Sequence, residues 1–109
     1  MPFSNVIQRW FKEEWGGSLH LPDGWYGRPH DNQHALTSID ESGDALIFVL
    51  DRKLTLHFDG LESVDAQRRE LILGPFKKLR FQWVSFGTDG ERGTKEYQTG
   101  EVRIISGPR

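Results

Sequence analysis

The feature that most constrains this chain is the segment 45–58, ALIFVLDRKLTLHF, in which two apolar runs are separated by three polar residues. In an extended chain alternate side chains lie on the same face, so each run presents three large apolar groups on one side. A slip of one residue would set these groups opposite Thr55 and His57, and this specifies the register. We predict an antiparallel hairpin in which Leu50 pairs with Leu54, Phe48 with Leu56, and Leu46 with Phe58.

This register requires an odd number of residues in the connecting loop. A three-residue loop usually has glycine at its left-handed position, and position 53 is Lys, so a five-residue loop is an open alternative. The reverse side of the hairpin is only half apolar, and we expect it to be partly exposed to solvent. Its side chains are Ala45, Ile47 and Val49 on one strand and Thr55, His57 and Asp59 on the other.

Residues 4–15 predict one amphipathic helix, with Ser4 as N-cap and Gly16-Gly17 as a left-handed exit. Glu14 lies within its apolar arc and is either a functional carboxylate in apolar surroundings or part of a frayed last turn. The polar side carries both signs of charge, which favours packing on protein over binding to a membrane surface. The apolar arc contains Val6, Ile7, Trp10, Phe11 and Trp15.

Alternation of apolar and polar residues predicts further strands elsewhere. Together with the hairpin they give six or seven short strands after one helix, which is typical of a mainly β antiparallel meander. We expect this meander to curl into a sheet, half-barrel or barrel with the helix packed on it. The further predicted strands are 18–21, 35–39, 70–73, 78–86 and, with an interruption at Gly100, 94–106.

Composition limits the classes of protein to which the chain can belong. We expect a single domain over residues 1–109, with helix 4–15 followed by a β-rich body over 18–106. The absence of cysteine excludes disulfides, thiolate metal sites and cysteine nucleophiles. Fourteen Lys and Arg against 16 Asp and Glu produce no net field that attracts nucleic acid. Charges in the first 15 residues and short apolar runs favour a soluble, cytoplasmic protein without a membrane segment.

The segment 24–34, GWYGRPHDNQH, is the candidate recognition surface. Aromatic rings beside an arginine and imidazoles on a loop can stack on and hydrogen-bond a ligand. Alternatively the rings plug one end of the barrel and the polar residues cap backbone amides. We predict a binding domain for a protein partner, a small ligand or a second copy of the chain. The candidate residues are Trp25 and Tyr26 as apolar anchors, Arg28 as anion contact, and His30, Asp31, Asn32 and His34 as hydrogen-bonding groups.

A metal-dependent enzyme is the second hypothesis. His30, Asp31 and His34 are residue types that bind zinc or iron, with His20 or His57 as a further ligand. However, the proline and Asp-Asn pair in this segment favour a turn, so no regular backbone holds the histidines at ligand spacing. The chain also has no G-x-S-x-G serine and no glycine-rich phosphate loop. We therefore predict no catalytic residue and no cofactor.

Nucleic-acid binding is disfavoured by the pattern of residues 76–83, FKKLRFQW. The segment interleaves cations with aromatic rings, as a surface for single strands does. In a strand, however, Lys78 and Arg80 project from one face, and Phe81 and Trp83 from the other. Bases could not stack on those rings while their phosphates contacted these cations.

Overall fold

The computed structural model describes residues 3–14, 16–26, 34–84 and 92–106. Of the predicted elements, Trp15 at the end of the helix and residues 85–86 at the end of the strand 78–86 lie outside these ranges. The described chain forms one helix, α1 Phe3–Glu13, and ten strands. The strands are β1 Gly16–Leu21, β2 Gly24–Tyr26, β3 Leu36–Ser42, β4 Ala45–Leu50, β5 Leu54–Asp59, β6 Val64–Gln67, β7 Glu70–Leu73, β8 Lys78–Val84, β9 Arg92–Tyr97 and β10 Val102–Ser106.

The strands form two five-stranded antiparallel sheets. The order is β2-β1-β10-β7-β6 in the first sheet and β3-β4-β5-β8-β9 in the second. Buried side chains of both sheets and of α1 share one hydrophobic core, which includes Phe48, Phe81 and Ile104. The predicted class, mainly β and antiparallel with an N-terminal helix, is confirmed. The two sheets are not closed into a barrel, which was one of the forms that we expected.

More strands are present than the predicted six or seven, for local reasons. β2 and β6 have three and four residues, too few to display a clear period of two. The pattern of residues 94–106 is compatible with one long strand or two short ones. In the structure these residues belong to β9 and β10, which lie in different sheets. Between these strands Gly100 has a φ of 135°, which glycine adopts without a steric penalty.

The central hairpin of β4 and β5 has the predicted register, with Leu50 opposite Leu54 and the two further pairs in step. Its inward side chains are buried and its outward ones are half-buried, as expected. The loop is the shorter alternative, the three residues 51–53. It has no glycine, and Asp51 and Arg52 themselves adopt left-handed φ values of 56° and 60°.

The helix begins at Phe3, so Ser4 lies in its first turn and is not the N-cap that we predicted. The carboxylate of Glu41, at the end of β3, instead accepts hydrogen bonds from the amides of Phe3 and Ser4 at 3.3 and 3.0 Å. Burial would raise the pKa of Glu41, but these bonds outweigh it and hold the pKa below its ordinary value. Gly16 is the first residue of β1, paired with Ser106, rather than part of a helix exit.

α1 closes one side of the two sheets, because it lies between their edge strands β3 and β6. Trp10 is buried, and its Nε1 donates to the carbonyl of Gln67 on β6 at 2.9 Å. Glu14 keeps a helical hydrogen bond from its amide to the carbonyl of Trp10, and its carboxylate accepts one from the Ser106 hydroxyl. Glu14 lies directly after the end of α1, and its carboxylate is bound to β10. In the described chain, no helix has the length and apolar character needed to cross a bilayer.

The opposite edges of the sheets are joined by polar contacts. The Tyr97 hydroxyl and the Lys95 ammonium, both on β9, donate to Asp23 in the turn after β1, at 2.9 and 3.1 Å. Burial and the Asp23 carboxylate raise the pKa of Tyr97 to about 12. Tyr97 therefore remains a protonated donor at neutral pH.

Candidate functional site

The structure places the predicted recognition residues unevenly. Trp25 and Tyr26 belong to β2, where they pair with His20 and Leu19, so the segment begins as a strand and not as a loop. Residues 27–33, with Arg28, His30, Asp31 and Asn32, lie outside the described residues. His34, at the end of the segment, is buried.

His34 is held by the turn of the central hairpin. Its Nδ1 lies 2.7 Å from Oδ2 of Asp51, and Oδ1 of the same carboxylate accepts a hydrogen bond of 2.8 Å from the amide of Ala35. The amide of Asp51 in turn donates to the carbonyl of Ala35 at 2.9 Å. The carboxylate therefore fixes both the ring of His34 and the backbone that follows it.

These contacts determine which nitrogen of His34 carries the proton. Burial opposes ionisation of Asp51, but hydrogen bonds from His34 and the amide of Ala35 outweigh it and hold the pKa of Asp51 below its ordinary value. Asp51 is thus a carboxylate at neutral pH and can only accept. Nδ1 of His34 must donate, and in the neutral imidazole Nε2 then carries a lone pair.

Nε2 of His34 is buried and has no hydrogen-bond partner within the described part of the chain. The side chain is 5 % exposed. A buried polar atom without a partner costs about 1–3 kcal/mol, and such atoms are rare in folded proteins. Nε2 is therefore a buried acceptor that Asp51 orients through the other ring nitrogen and that has no partner among the residues that the structure describes.

His34 lies in the wall of a cleft of about 800 Å³ between α1 and the start of β3. Small-molecule sites commonly have volumes of roughly 300–1,000 Å³ and combine apolar walls with a few polar groups. Here the apolar side chains include Phe11, Leu36 and Ile39, and the charged groups are those of Lys12 and Glu14. We call this space the α1–β3 cleft; its walls consist of Gln8, Phe11, Lys12 and Glu14 on one side and residues 34–39 on the other.

The turn that supports His34 is strained. A left-handed conformation costs a residue with a side chain about 1–2 kcal/mol, and Asp51 and Arg52 both adopt it. The cleft wall stabilises this turn, because the Thr37 hydroxyl accepts a hydrogen bond of 2.9 Å from the amide of Arg52. Backbone strain often accompanies functional sites. Sequence reasoning missed Asp51, although aspartate is one of the few residue types that tolerate this conformation at a turn.

The other two histidines suggested as further metal ligands are not brought to His34. The ring of His20 contacts the Ser18 hydroxyl at 2.8 Å on the outer face of the first sheet. His57 lies on the outer face of the second sheet, 3.4 Å from Asp59. Over the residues that the structure describes, no group of three or more histidine and carboxylate side chains could hold a metal ion.

The basic row on β8 follows the pleat as predicted. Lys78 and Arg80 point outward, and Phe81 is buried on the inner face. The carboxylate of Glu96, on β9, lies 3.6 Å from the Lys78 ammonium and 3.4 Å from Nε of Arg80. The row is therefore partly neutralised within its own sheet.

Chemically, a histidine held by a carboxylate can accept a hydrogen bond, take up a proton or ligate a metal through its other nitrogen. Compared with protein-family models, curated proteins and solved structures, the chain has no significant match. Function is therefore inferred from the chemistry of the α1–β3 cleft itself.

Proposed function

We propose that the protein is a binding domain whose ligand site is the α1–β3 cleft, with Nε2 of His34 as its buried hydrogen-bond acceptor. The observation that carries this proposal is that Asp51 orients His34 in the wall of a cleft of ligand size, while Nε2 of His34 has no partner among the described residues. The predicted recognition segment ends at His34. The proposal therefore keeps part of that segment and adds the helix wall, of which Phe11 and Glu14 lie in the predicted apolar arc.

The cleft favours a ligand of mixed character. A hydroxyl or N–H group would donate to Nε2 of His34, and an apolar body would pack against Phe11 and Ile39. Lys12 is exposed and forms no ion pair with any residue in the described ranges. Its ammonium can therefore bind an anionic group of the ligand at the rim of the cleft. Arg28 and the other candidates within 27–33 precede His34 directly in the chain and remain proposed contacts.

A catalytic function is the second candidate, because one observation favours it. The carboxylate–histidine pair is the arrangement in which metal-ligating and base-acting histidines are commonly held. The pair by itself provides neither a nucleophile nor a metal. Elemental analysis of the purified protein tests this candidate: zinc or iron at one equivalent, lost in a His34→Ala variant, would support it over simple binding.

Binding is tested with matched small molecules. Phenols and benzamides can donate a hydrogen bond to Nε2, whereas the corresponding anisoles and N,N-dimethylbenzamides cannot. In ¹⁵N-labelled protein the donors should shift the Nε2 resonance of His34 and the amides of residues 34–39. They should bind about tenfold more tightly than the methylated analogues, the equivalent of one hydrogen bond.

A histidine variant provides the matched control. In His34→Asn the side-chain amide can still donate to Asp51, but the atom equivalent to Nε2 is gone. This variant should fold and lose the preference for donors, whereas His57→Asn, on an outer face, should keep it. Equal preference in His34→Asn, or shifts confined to other surfaces, would show that the cleft is not the site.

A further inference from the structure

The two ring nitrogens of His34 have different roles. Nδ1 lies 2.7 Å from Oδ2 of Asp51, and because an ionised carboxylate can only accept, Nδ1 keeps its proton whether the ring is neutral or charged. A change in the protonation of His34 therefore takes place at Nε2. This atom is buried and has no partner among the residues that the structure describes.

The position of the imidazole ring is fixed by contacts of the hairpin turn. Asp51 also accepts a hydrogen bond of 2.8 Å from the amide of Ala35, and the next residue of the turn, Arg52, donates its amide to the Thr37 hydroxyl at 2.9 Å. A rotation of the ring would break its bond to Asp51. Neutral imidazole accepts a hydrogen bond at Nε2, whereas imidazolium donates one from the same atom. One point in the wall of the α1–β3 cleft is therefore an acceptor or a donor, depending on pH.

The charged groups around His34 come from two elements. From α1, Lys12 and Glu14 line the same cleft. From the hairpin turn, Asp51 bonds to the ring, and the charge of Lys53 acts on Asp51. Residues 35–39, which form the wall beside His34, contain no charged side chain. Apart from Asp51, a carboxylate that enters the cleft while the ring is protonated meets two cations, His34 and Lys12, and one anion, Glu14.

We propose that the α1–β3 cleft changes its ligand class with pH. With His34 neutral, the cleft binds a ligand that offers an N–H or O–H donor; with His34 protonated, it binds a carboxylate. This inference rests on the proposed function and adds the regulation of the same site. The protonated ring and Lys12 hold the carboxylate together, while Phe11 and Ile39 contact the apolar body of either ligand.

The proton and a donor ligand exclude each other because Nε2 has a single lone pair. The apparent affinity for a donor therefore falls with the fraction of protein in which His34 is neutral. A carboxylate gains over the same range, since it accepts the hydrogen bond that the buried N–H would otherwise lack. By reciprocity, a bound donor should shift protonation of His34 to lower pH, and a bound carboxylate should shift it to higher pH.

Two probes that differ in hydrogen bonding test this proposal. Indole can only donate and benzoate can only accept, and both keep their own charge between about pH 5 and 8. N-methylindole, without the donor, and methyl benzoate, without the charge, are the matched controls. Affinities are measured by titration of ¹⁵N-labelled protein, in which the Nε2 resonance of His34 reports protonation of the ring.

The two probes should respond to pH in opposite directions. As His34 becomes protonated, the affinity for indole should fall by up to about tenfold per pH unit. The affinity for benzoate should rise by about tenfold or more, as expected for one hydrogen bond to a charged group. The affinities for the two control compounds should stay constant.

Three variants assign these effects to residues. His34→Asn lacks the titrating ring and should lose both pH dependences. Lys12→Gln should weaken benzoate at every pH but keep its rise on protonation of His34. Glu14, whose carboxylate accepts a hydrogen bond from the Ser106 hydroxyl, should be replaceable by Gln without loss of the rise. A rise that occurs in Glu14→Gln but not in the wild type would show that Glu14 pairs with the charged ring, and would overturn the proposal.

The remaining outcomes separate this proposal from the proposed function. Indole binding that requires His34 but stays constant while the ring becomes protonated would refute the change of ligand class and leave the cleft as a ligand site. A ring that stays neutral down to pH 5 would do the same. If indole binds no more tightly than N-methylindole at any pH, and neither indole nor benzoate shifts the amides of residues 34–39, both proposals are wrong.

Discussion

Replacement of Asp51 by alanine should be the most informative single change in this protein. It removes the acceptor for Nδ1 of His34 and for the amide of Ala35, which lie 2.7 and 2.8 Å from the carboxylate. His34 is almost fully buried and the Asp51 side chain is 23 % exposed, so water can replace the lost acceptor only in part. Alanine also keeps the left-handed strain at this position.

The expected loss follows from these contacts. Hydrogen bonds to a charged group contribute about 1.5–3 kcal/mol each, and partial exposure reduces the sum of the two to roughly 2–4 kcal/mol. A domain of this size has a total stability of about 5–15 kcal/mol, so the variant should remain folded but be clearly weakened. Urea unfolding followed by tryptophan fluorescence measures the difference, and Tm should fall by roughly 10 °C or more.

A second variant separates the hydrogen bonds from the backbone strain. Asp51→Gly loses the same bonds, but glycine adopts a φ of 56° freely. Relief of about 1–2 kcal/mol of strain, partly offset by the greater entropy of unfolded glycine, should make it roughly 0.5–1 kcal/mol more stable than Asp51→Ala. Losses below 1 kcal/mol in both variants would refute the role of Asp51 as the support of His34. If both variants lose the same amount of stability, and that amount is as expected for the hydrogen bonds, the inferred backbone strain at position 51 would be refuted.

Three further predictions concern pH, a helix end and a glycine. The folded-state pKa of Asp51 lies below its ordinary value of 3.8, so the folded protein binds fewer protons than the unfolded chain in this range. The stability that Asp51 contributes should be fully present above its ordinary pKa and should be lost as the pH falls through its folded-state pKa. Urea midpoints measured between about pH 5 and 2 should therefore fall more steeply for the wild type than for Asp51→Asn. Glu41→Ala removes the acceptor for the first amides of α1 and should lower the free energy of unfolding by about 1 kcal/mol. A loss below about 0.3 kcal/mol in urea unfolding would contradict the role of Glu41 as the helix cap. Gly93→Ala places a Cβ against the ring of Trp83 and should destabilise by about 1–3 kcal/mol with a changed tryptophan emission spectrum, whereas unchanged stability would show that this ring does not cover the glycine.

Local periodicity determined the elements of this protein. The period of two in 45–58 specified the pairing of β4 with β5, because a slip of one residue would have set the large apolar side chains opposite polar ones. The same reasoning placed Lys78 and Phe81 on opposite faces of β8, and the helical period identified Ile7 and Trp10 as the buried side of α1. These results needed only the geometry of a single strand or helix.

The layering of the elements was decided by tertiary structure. Whether successive strands join one curled sheet or two separate sheets depends on which buried faces meet. The sequence pattern therefore could not show that the chain passes from one sheet to the other between β9 and β10. The site shows the same division. His34 was predicted as a binding residue, but Asp51, Phe11 and Lys12 were not assigned to its surroundings. Their proximity arises from how the hairpin turn and the helix pack beside β3, because contacts between residues distant in the chain leave no periodic signal.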